Sequence, residues 1–252
     1  MFVSLGLVAA LGVSSVAIAG GPTAAQQNAS TVVGKVKPRK LPKKKFKNVS
    51  LFTQVSTVYG TPVGDPTVHS EQVFIDFGKN LRFKQRGKPR CRAAVGTMTT
   101  AEARSACRRA RVGAGAAKAH VVVDPGPPPV GMDFTDFTVT AFNGPGRKNI
   151  TLHAYSPTLT GGVVGPGNPS VVVGKVVRSP AGRKFGKRLA VRDVPDVQSD
   201  LGGLFSFNAR IKKGNYVQAR CKAKKFFWRA TWVYDDGSRD VDNHRQKCKR
   251  RR

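Results

Sequence analysis

Acidic side chains are what this sequence has least of. Its 252 residues hold 14 Asp and Glu against 44 Lys and Arg, a formal net charge of +30. Only Glu71 and Glu102 are glutamates, which leaves few partners for general acid or base work. No G-x-S-x-G, H-E-x-x-H or Walker A sequence occurs, and Gly113-Ala-Gly115 follows a helical stretch and lacks the third glycine of a nucleotide loop. There is no C-x-x-C, and His69, His120, His153 and His244 lie far from any cysteine in sequence, so structural zinc is not expected. Asp65, His69 and Asp76 are the one grouping that could serve acid–base chemistry, and a secreted hydrolase of unrecognised type is the alternative reading they leave open. No cofactor is expected. Hydrophobic residues are 40% of the chain, below the roughly 45–50% of an average domain. Part of that deficit is made up by 27 glycines, so a core can form and wholesale disorder is excluded.

Charge of either sign is missing from the first 34 residues, where Lys35 is the first ionisable side chain. Phe2 to Ala19 is one apolar stretch closing on Ala17-Ile18-Ala19, the small-x-small pattern of signal peptidase. This predicts an export signal at residues 1–19, cleaved near Ala19, although no basic residue precedes Phe2. An uncleaved anchor is the rival, because eighteen apolar residues approach the length that spans a bilayer. No second run of that length follows, so the mature chain is expected to be soluble, in the medium or the cell envelope.

The four cysteines, Cys91, Cys107, Cys221 and Cys248, agree with an oxidising compartment. Three pairings are possible, and local structure selects one. Thr99-x-x-Glu102 is a capping box, followed by Ala101, Ala103, Ala106 and Ala110 at helical spacing and by Gly113 as a stop. A helix is therefore predicted over about 100–112, carrying Cys107 close behind the strand that ends at Cys91. A Cys91–Cys107 bridge leaves Cys221 and Cys248 to pair around a hairpin.

Elsewhere the chain reads as short runs rich in Val, Phe, Thr and Tyr, separated by Gly, Pro, Asn or Asp. Ten strands are predicted, in 49–58, 73–77, 119–123, 134–142, 150–155, 171–177, 189–194, 204–211, 216–221 and 226–234, the last turning through Asp235-Asp236-Gly237-Ser238 into a return strand. The expected fold is mainly β, an antiparallel β-sandwich-like domain with one short helix and two disulfides. Residues 20–47 form a basic N-terminal segment that can hold a first strand, 48–248 a single β-rich domain, and 249–252 a basic tail. Two subdomains divided near 161–169 are the alternative. Val32-Val-Gly-Lys-Val36 recurs at Val172-Val-Gly-Lys-Val176, but the order of the neighbouring pieces does not support a duplication.

The bases are unevenly spread. Lys35 to Lys47 holds eight in thirteen residues, and Lys249 to Arg252 is wholly basic. Arg82, Lys84, Arg86, Lys88, Arg90 and Arg92 occupy every second position, with Leu81 and Phe83 on the opposite parity, which predicts a basic strand face that Gly87 and Pro89 interrupt. Arg104, Arg108 and Arg111 fall on one face of the predicted helix. A Cys91–Cys107 bridge would merge the two faces into a polyanion-binding patch with strongly salt-dependent affinity. The competing reading is a solvated surface that serves solubility. Phe226, Trp228, Trp232 and Tyr234 share one strand parity and read as core anchors in preference to a stacking platform. Asp235, Asp236, Asp240 and Asp242 lack calcium-loop spacing and read as a turn solvated by carboxylates, close to Arg239, Arg245 and Lys247.

Several of these pieces occur together in a recognisable order. Pro38 to Phe52 leads to Ile75-Asp-Phe77-x-Lys79-Asn-Leu81, Pro89-x-Cys91 and Ala103-x-x-x-Cys107-x-x-Ala110-x-Val112-Gly-x-Gly115. Then come Phe142-Asn-Gly144, Phe185-Gly-x-x-Leu189-x-Val191, Ala219-x-Cys221 and Gln246-x-Cys248. Over about residues 30–248 the chain resembles a family of exported β-rich proteins of high-GC Gram-positive bacteria. The resemblance implies a β-sandwich-like extracytoplasmic protein with the same two bridges, and implies no activity. The run Lys43 to Lys45 and the arginine tail exceed the family pattern. The function expected is therefore that of an exported, non-enzymatic structural or binding module. Its partner would be an anionic wall polymer or membrane surface, in preference to intracellular nucleic acid.

Overall fold

A computed structural model describes residues 29–58, 70–124, 130–146, 148–158, 169–194, 202–212 and 214–251. The export signal expected at 1–19, together with Asp65 and His69, lies outside the described residues. Within them the first half of the chain forms β1 (Ala29–Lys37), β2 (Lys40–Pro42), β3 (Lys47–Asn48), β4 (Ser50–Val58), β5 (Ser70–Gly78), β6 (Leu81–Phe83), α1 (Thr100–Ala106), β7 (Arg111–Asp124) and β8 (Val130–Asn143). The second half forms β9 (Asn149–Tyr155), β10 (Ser170–Arg178), β11 (Phe185–Val191), β12 (Gly202–Ile211), β13 (Val217–Ala219), β14 (Lys225–Tyr234), β15 (Arg239–Lys247) and β16 (Lys249–Arg251). The mainly β, antiparallel architecture with one helix and two disulfides is as the sequence predicts. No described helix is long and apolar enough to cross a membrane.

Eleven strands form one sheet in the order β1-β4-β12-β7-β8-β9-β10-β11-β5-β14-β15, and every neighbouring pair in it is antiparallel. The sheet rolls until β1 meets β15, so its two halves face each other across the core as sandwich layers would. An odd number of alternating strands can close only through one parallel junction, and that junction is β1 against β15. It is made by side chains. Ser30 N donates to Asp240 Oδ2 at 2.6 Å, Val32 N to Asp242 Oδ2 at 2.7 Å and Val36 N to Gln246 Oε1 at 2.8 Å. Each pair is 210 residues apart, so one register serves all three bonds, and three donors of an edge strand are satisfied.

The β14–β15 hairpin is the predicted one. Phe226, Trp228, Ala230, Trp232 and Tyr234 are buried, which places the large aromatics in the core. Two parts of the chain differ from expectation. The helix ends at Ala106 and is followed by a 3₁₀ turn at Arg108–Ala110, after which β7 begins at Arg111. The capping box does form, with Thr99 N donating to Glu102 Oε2 and Glu102 N to Thr99 Oγ1. Beyond Cys107, however, strand pairing on both sides outcompetes helix for a stretch of Gly and Ala. Gly113 and Gly115 belong to that strand because the carbonyls of Arg210 and Asn208 in β12 occupy the space a Cβ would need. The second difference is β6, which stops at Phe83, so the alternating row of bases is one strand residue followed by a loop.

The strand directions sort all connections to two ends. One end is closed by a second sheet, β3-β13-β6, which buries Leu81, Val217 and Ala219 against Leu41, Val49 and Tyr216. The Cys221–Cys248 bridge, with Cα atoms 6.0 Å apart, fastens the same end. The Cys91–Cys107 bridge, at 5.1 Å, holds the excursion carrying α1 against the outside of the barrel, over Phe142 and His153. Both bridges are the pairs read from the sequence.

Among the described residues, apolar cavities of about 60, 50 and 30 Å³ lie inside the barrel, each bordered by Leu152 and Phe207. The one of about 60 Å³ reaches the end opposite the closed one, at Thr57, Ser70 and Val194.

Candidate functional site

Charge follows the division between the two ends. The segments that join strands at the closed end are 38–49, 79–110, 144–148, 179–184, 212–224 and the terminal 248–252. In sequence they contain twenty-nine of the 44 Lys and Arg and one acid, Glu102. Among the described residues, the segments at the far end contain Asp193, Asp235 and Asp236, with Arg192 as their one base. A barrel built this way carries a large charge dipole along its axis. Its closed end has a positive potential that summation over many exposed cations strengthens.

The small sheet orders part of this end. Gln218 on β13 pairs with Asn48 on β3 and Arg82 on β6, and side chains repeat the row. Arg82 Nη2 donates to Gln218 Oε1 at 2.6 Å, and Gln218 Nε2 to Asn48 Oδ1 at 2.9 Å. Beside the row, Phe46 lies between two guanidinium groups, Arg82 at 4.4 Å and Arg220 at 4.6 Å from the ring centroid. Such contacts hold arginines in place without a carboxylate, so their charge stays available to an outside anion. Lys43, Lys44 and Lys45 are exposed, next to Phe46 in the chain.

The C-terminal bases are ordered as well. Lys249–Arg251 form β16, parallel to β2, with Lys249 beside Lys40 and Arg250 beside Leu41. Arg250 Nη2 also donates to the Lys222 carbonyl at 2.9 Å. Lys249–Arg251 of the basic tail are thus a strand of the closed end. Because Cys221 N donates to the Pro42 carbonyl and Cys248 is bonded to Cys221, the disulfide ties the two basic segments together.

The residues singled out by sequence divide between surroundings. Arg82 is in the row just described. Lys84, Arg86 and Arg92 are exposed on the loop, while Lys88 and Arg90 are half-buried where the loop meets Asn143, whose Nδ2 donates to the Lys88 and Pro89 carbonyls. The bridge from Cys91 to Cys107 joins the segment of Arg90 and Arg92 to that of Arg108, and Arg108 and Arg111 are exposed. Arg104 is not part of a free basic face. Its Nε donates to Thr140 Oγ1 at 3.1 Å on the barrel wall, and since Arg108 sits on the 3₁₀ turn and Arg111 in β7, the predicted three-arginine helix face does not exist. Phe46, Arg220 and the β2–β16 pairing were not found by sequence reasoning. The one available signal was an aromatic inside a lysine run.

Several of the remaining polar groups have structural partners. Asp76, fully buried on β5, receives both Nε (2.9 Å) and Nη2 (2.7 Å) of Arg188. That bidentate pair commits both carboxylate oxygens of Asp76 to the guanidinium of Arg188. Asp240 and Asp242, expected to solvate the turn, hold β1, while Asp236 Oδ1 does accept Ser238 N within it. His153, fully buried beneath the helix excursion, donates from Nε2 to the Met98 carbonyl at 2.8 Å. Burial holds its pKa below the ordinary histidine range, overriding that hydrogen bond, and nearby Arg104 acts in the same direction. Among the described residues no three His, Cys, Asp or Glu converge as metal ligands, and the three cavities are lined by neither carboxylate nor imidazole.

No protein-family model, no curated protein and no solved structure matches this chain.

Proposed function

We propose that this is an exported, non-enzymatic binding module that holds an anionic polymer of the cell envelope against its closed end. The observation that carries the reading is the gathering of twenty-nine bases and one acid in the segments of that end. Two disulfides are consistent with an oxidising, extracytoplasmic compartment, and the uncharged leader ending at Ala19 supports export. Both make intracellular nucleic acid a poor candidate. A linear phosphodiester polymer of the wall suits a surface of many exposed cations, because affinity then comes from counterion release and needs no shaped pocket. Ordered guanidiniums such as Arg82 and Arg220 add bidentate phosphate contacts to the diffuse attraction of Lys43 to Lys45. No cofactor and no covalent step enters this reading.

Co-sedimentation with purified phosphodiester wall polymer, and separately with vesicles of anionic lipid, tests it. Binding to the polymer near 0.1 M salt and release near ~1 M are expected, as screening collapses the attraction. Failure to bind at the lower salt, or binding indifferent to salt, would refute the proposal. Binding to vesicles alone would move the partner to the membrane surface.

A further inference from the structure

We infer that the barrel lumen is a binding site for one long, unbranched alkyl chain with a neutral, hydroxyl-bearing head, as in a monoacylglycerol or a fatty alcohol. This goes beyond the polymer reading and rests on different residues. Eleven strands enclose more space than their inward side chains fill, since eight already leave room for a small ligand in some barrels. The inward-facing Val73, Val172, Leu189, Leu204 and Phe207 are accordingly only half-buried. A barrel that leaves such an interior surface within reach of water gains by covering it with an apolar molecule.

The shape of the space favours a chain over a compact ring system. The cavity of about 50 Å³ lies towards the closed end, between Leu51, Phe83 and Ile211, and the one of about 60 Å³ towards the far end. They share Val55, Ile75 and Leu189 as well as Leu152 and Phe207, so they follow one another along the barrel. From Leu51 to Thr57 the β4 strand advances roughly 20 Å, the reach of a long alkyl chain.

Two hydroxyls give the space a polarity. Ser70, 8% exposed, borders the far-end cavity, and Thr53 borders the inner one. Their oxygens are buried with no hydrogen-bond partner among the described residues. A buried hydroxyl left unsatisfied is costly, so Ser70, where the lumen reaches the strand ends, is placed to bond a head group. The charge of that end selects the head. Asp193, Asp235 and Asp236 outnumber Arg192 and Arg239 among the exposed charges there, which favours an uncharged hydroxyl over a carboxylate or phosphate.

Equilibrium titration with the neutral probe N-phenyl-1-naphthylamine, followed by displacement with 1-monopalmitoylglycerol, tests the inference. Saturable, one-to-one probe uptake and competitive displacement are expected. Leu152→Trp fills the shared wall and should weaken probe binding at least about tenfold while the far-UV spectrum is kept. Should that variant unfold, Val55→Phe, which narrows the same passage, provides the comparison. Ser70→Ala should weaken the monoacylglycerol several-fold and leave the probe unchanged. Absence of saturable uptake, or uptake that a folded lumen-filling variant does not reduce, would overturn the site. Palmitate binding at neutral pH as tightly as its glycerol ester would overturn the neutral head.

Discussion

Gly34 of β1 lies against the face of Trp228 of β14, so that a Cβ at Gly34 would fall on Cδ2 and Cε2 of the indole. Trp228 is fully buried and packs edge-on against His244 at 5.6 Å between centroids, so one glycine lets the first strand seat on the last hairpin. Gly34→Ala should therefore destabilise the fold by ~2 kcal/mol or more, the range of core overpacking. Trp228 has few alternative rotamers in such surroundings and cannot simply move aside. Chemical unfolding of the variant checks this; an unchanged midpoint would mean that β1 does not lie on the indole.

The junction beside it depends on carboxylates accepting from backbone amides. Asp242→Ala removes the acceptor for Val32 N and is expected to cost about 1–3 kcal/mol. Asp235→Ala, in the turn, should cost well under that. Amide hydrogen exchange separates the two outcomes, because only the first variant should speed exchange at Val32, while Ser30 keeps its Asp240 acceptor.

Acid sensitivity should trace to His153. Its folded-state pKa lies below the unfolded value of about 6.5, so the unfolded chain binds the extra proton first and stability rises with pH. The protein is therefore expected to lose stability as pH falls through 6.5 and below, and His153→Gln, which can still donate to the Met98 carbonyl, should flatten that slope. Urea midpoints at pH 7.5 and 5.5 provide the measurement. Equal losses in the two proteins would assign the sensitivity elsewhere.

The Cys221–Cys248 bridge joins β2 and β16 to the closed end, and its 27-residue separation would give ~3–4 kcal/mol in the loop-entropy picture. Cys221→Ser with Cys248→Ser should lower stability by that order. It should also release the terminal arginines from β2, detected as protease cleavage after Lys249 to Arg251 that the parent resists.

Local signals were legible in the sequence where one residue pair decides the outcome. Thr99 and Glu102 make the capping box, Phe226 to Tyr234 alternate as a core strand, and Cys107 pairs with Cys91 across a short loop. What was hidden depends on distant segments. The β7 stretch from Gly113 reads as a helix stop because nothing in it states that β12 will pass close enough to exclude a Cβ. The β2–β16 pairing joins two lysine- and arginine-rich segments that composition marks as loose ends. The axial segregation of charge is invisible along the chain, since it appears only once strand direction assigns each connection to one end. The lumen is hidden for a similar reason: Leu152 and Phe207 look like ordinary core residues until the number of strands fixes the size of the interior.

The most direct test of the polymer reading compares two variants of equal net charge. One replaces Lys43, Lys44 and Lys45 of the closed end with Gln, and the other replaces Lys118, Arg192 and Arg239, which lie away from it. Affinity for the phosphodiester polymer is measured as a function of salt. The closed-end variant should bind more weakly and lower the slope of log K against log salt by up to about 2–3, the contribution of three lost phosphate contacts, while the other variant stays close to the parent. Equal weakening in both would show that net charge alone governs binding and would contradict a site at the closed end.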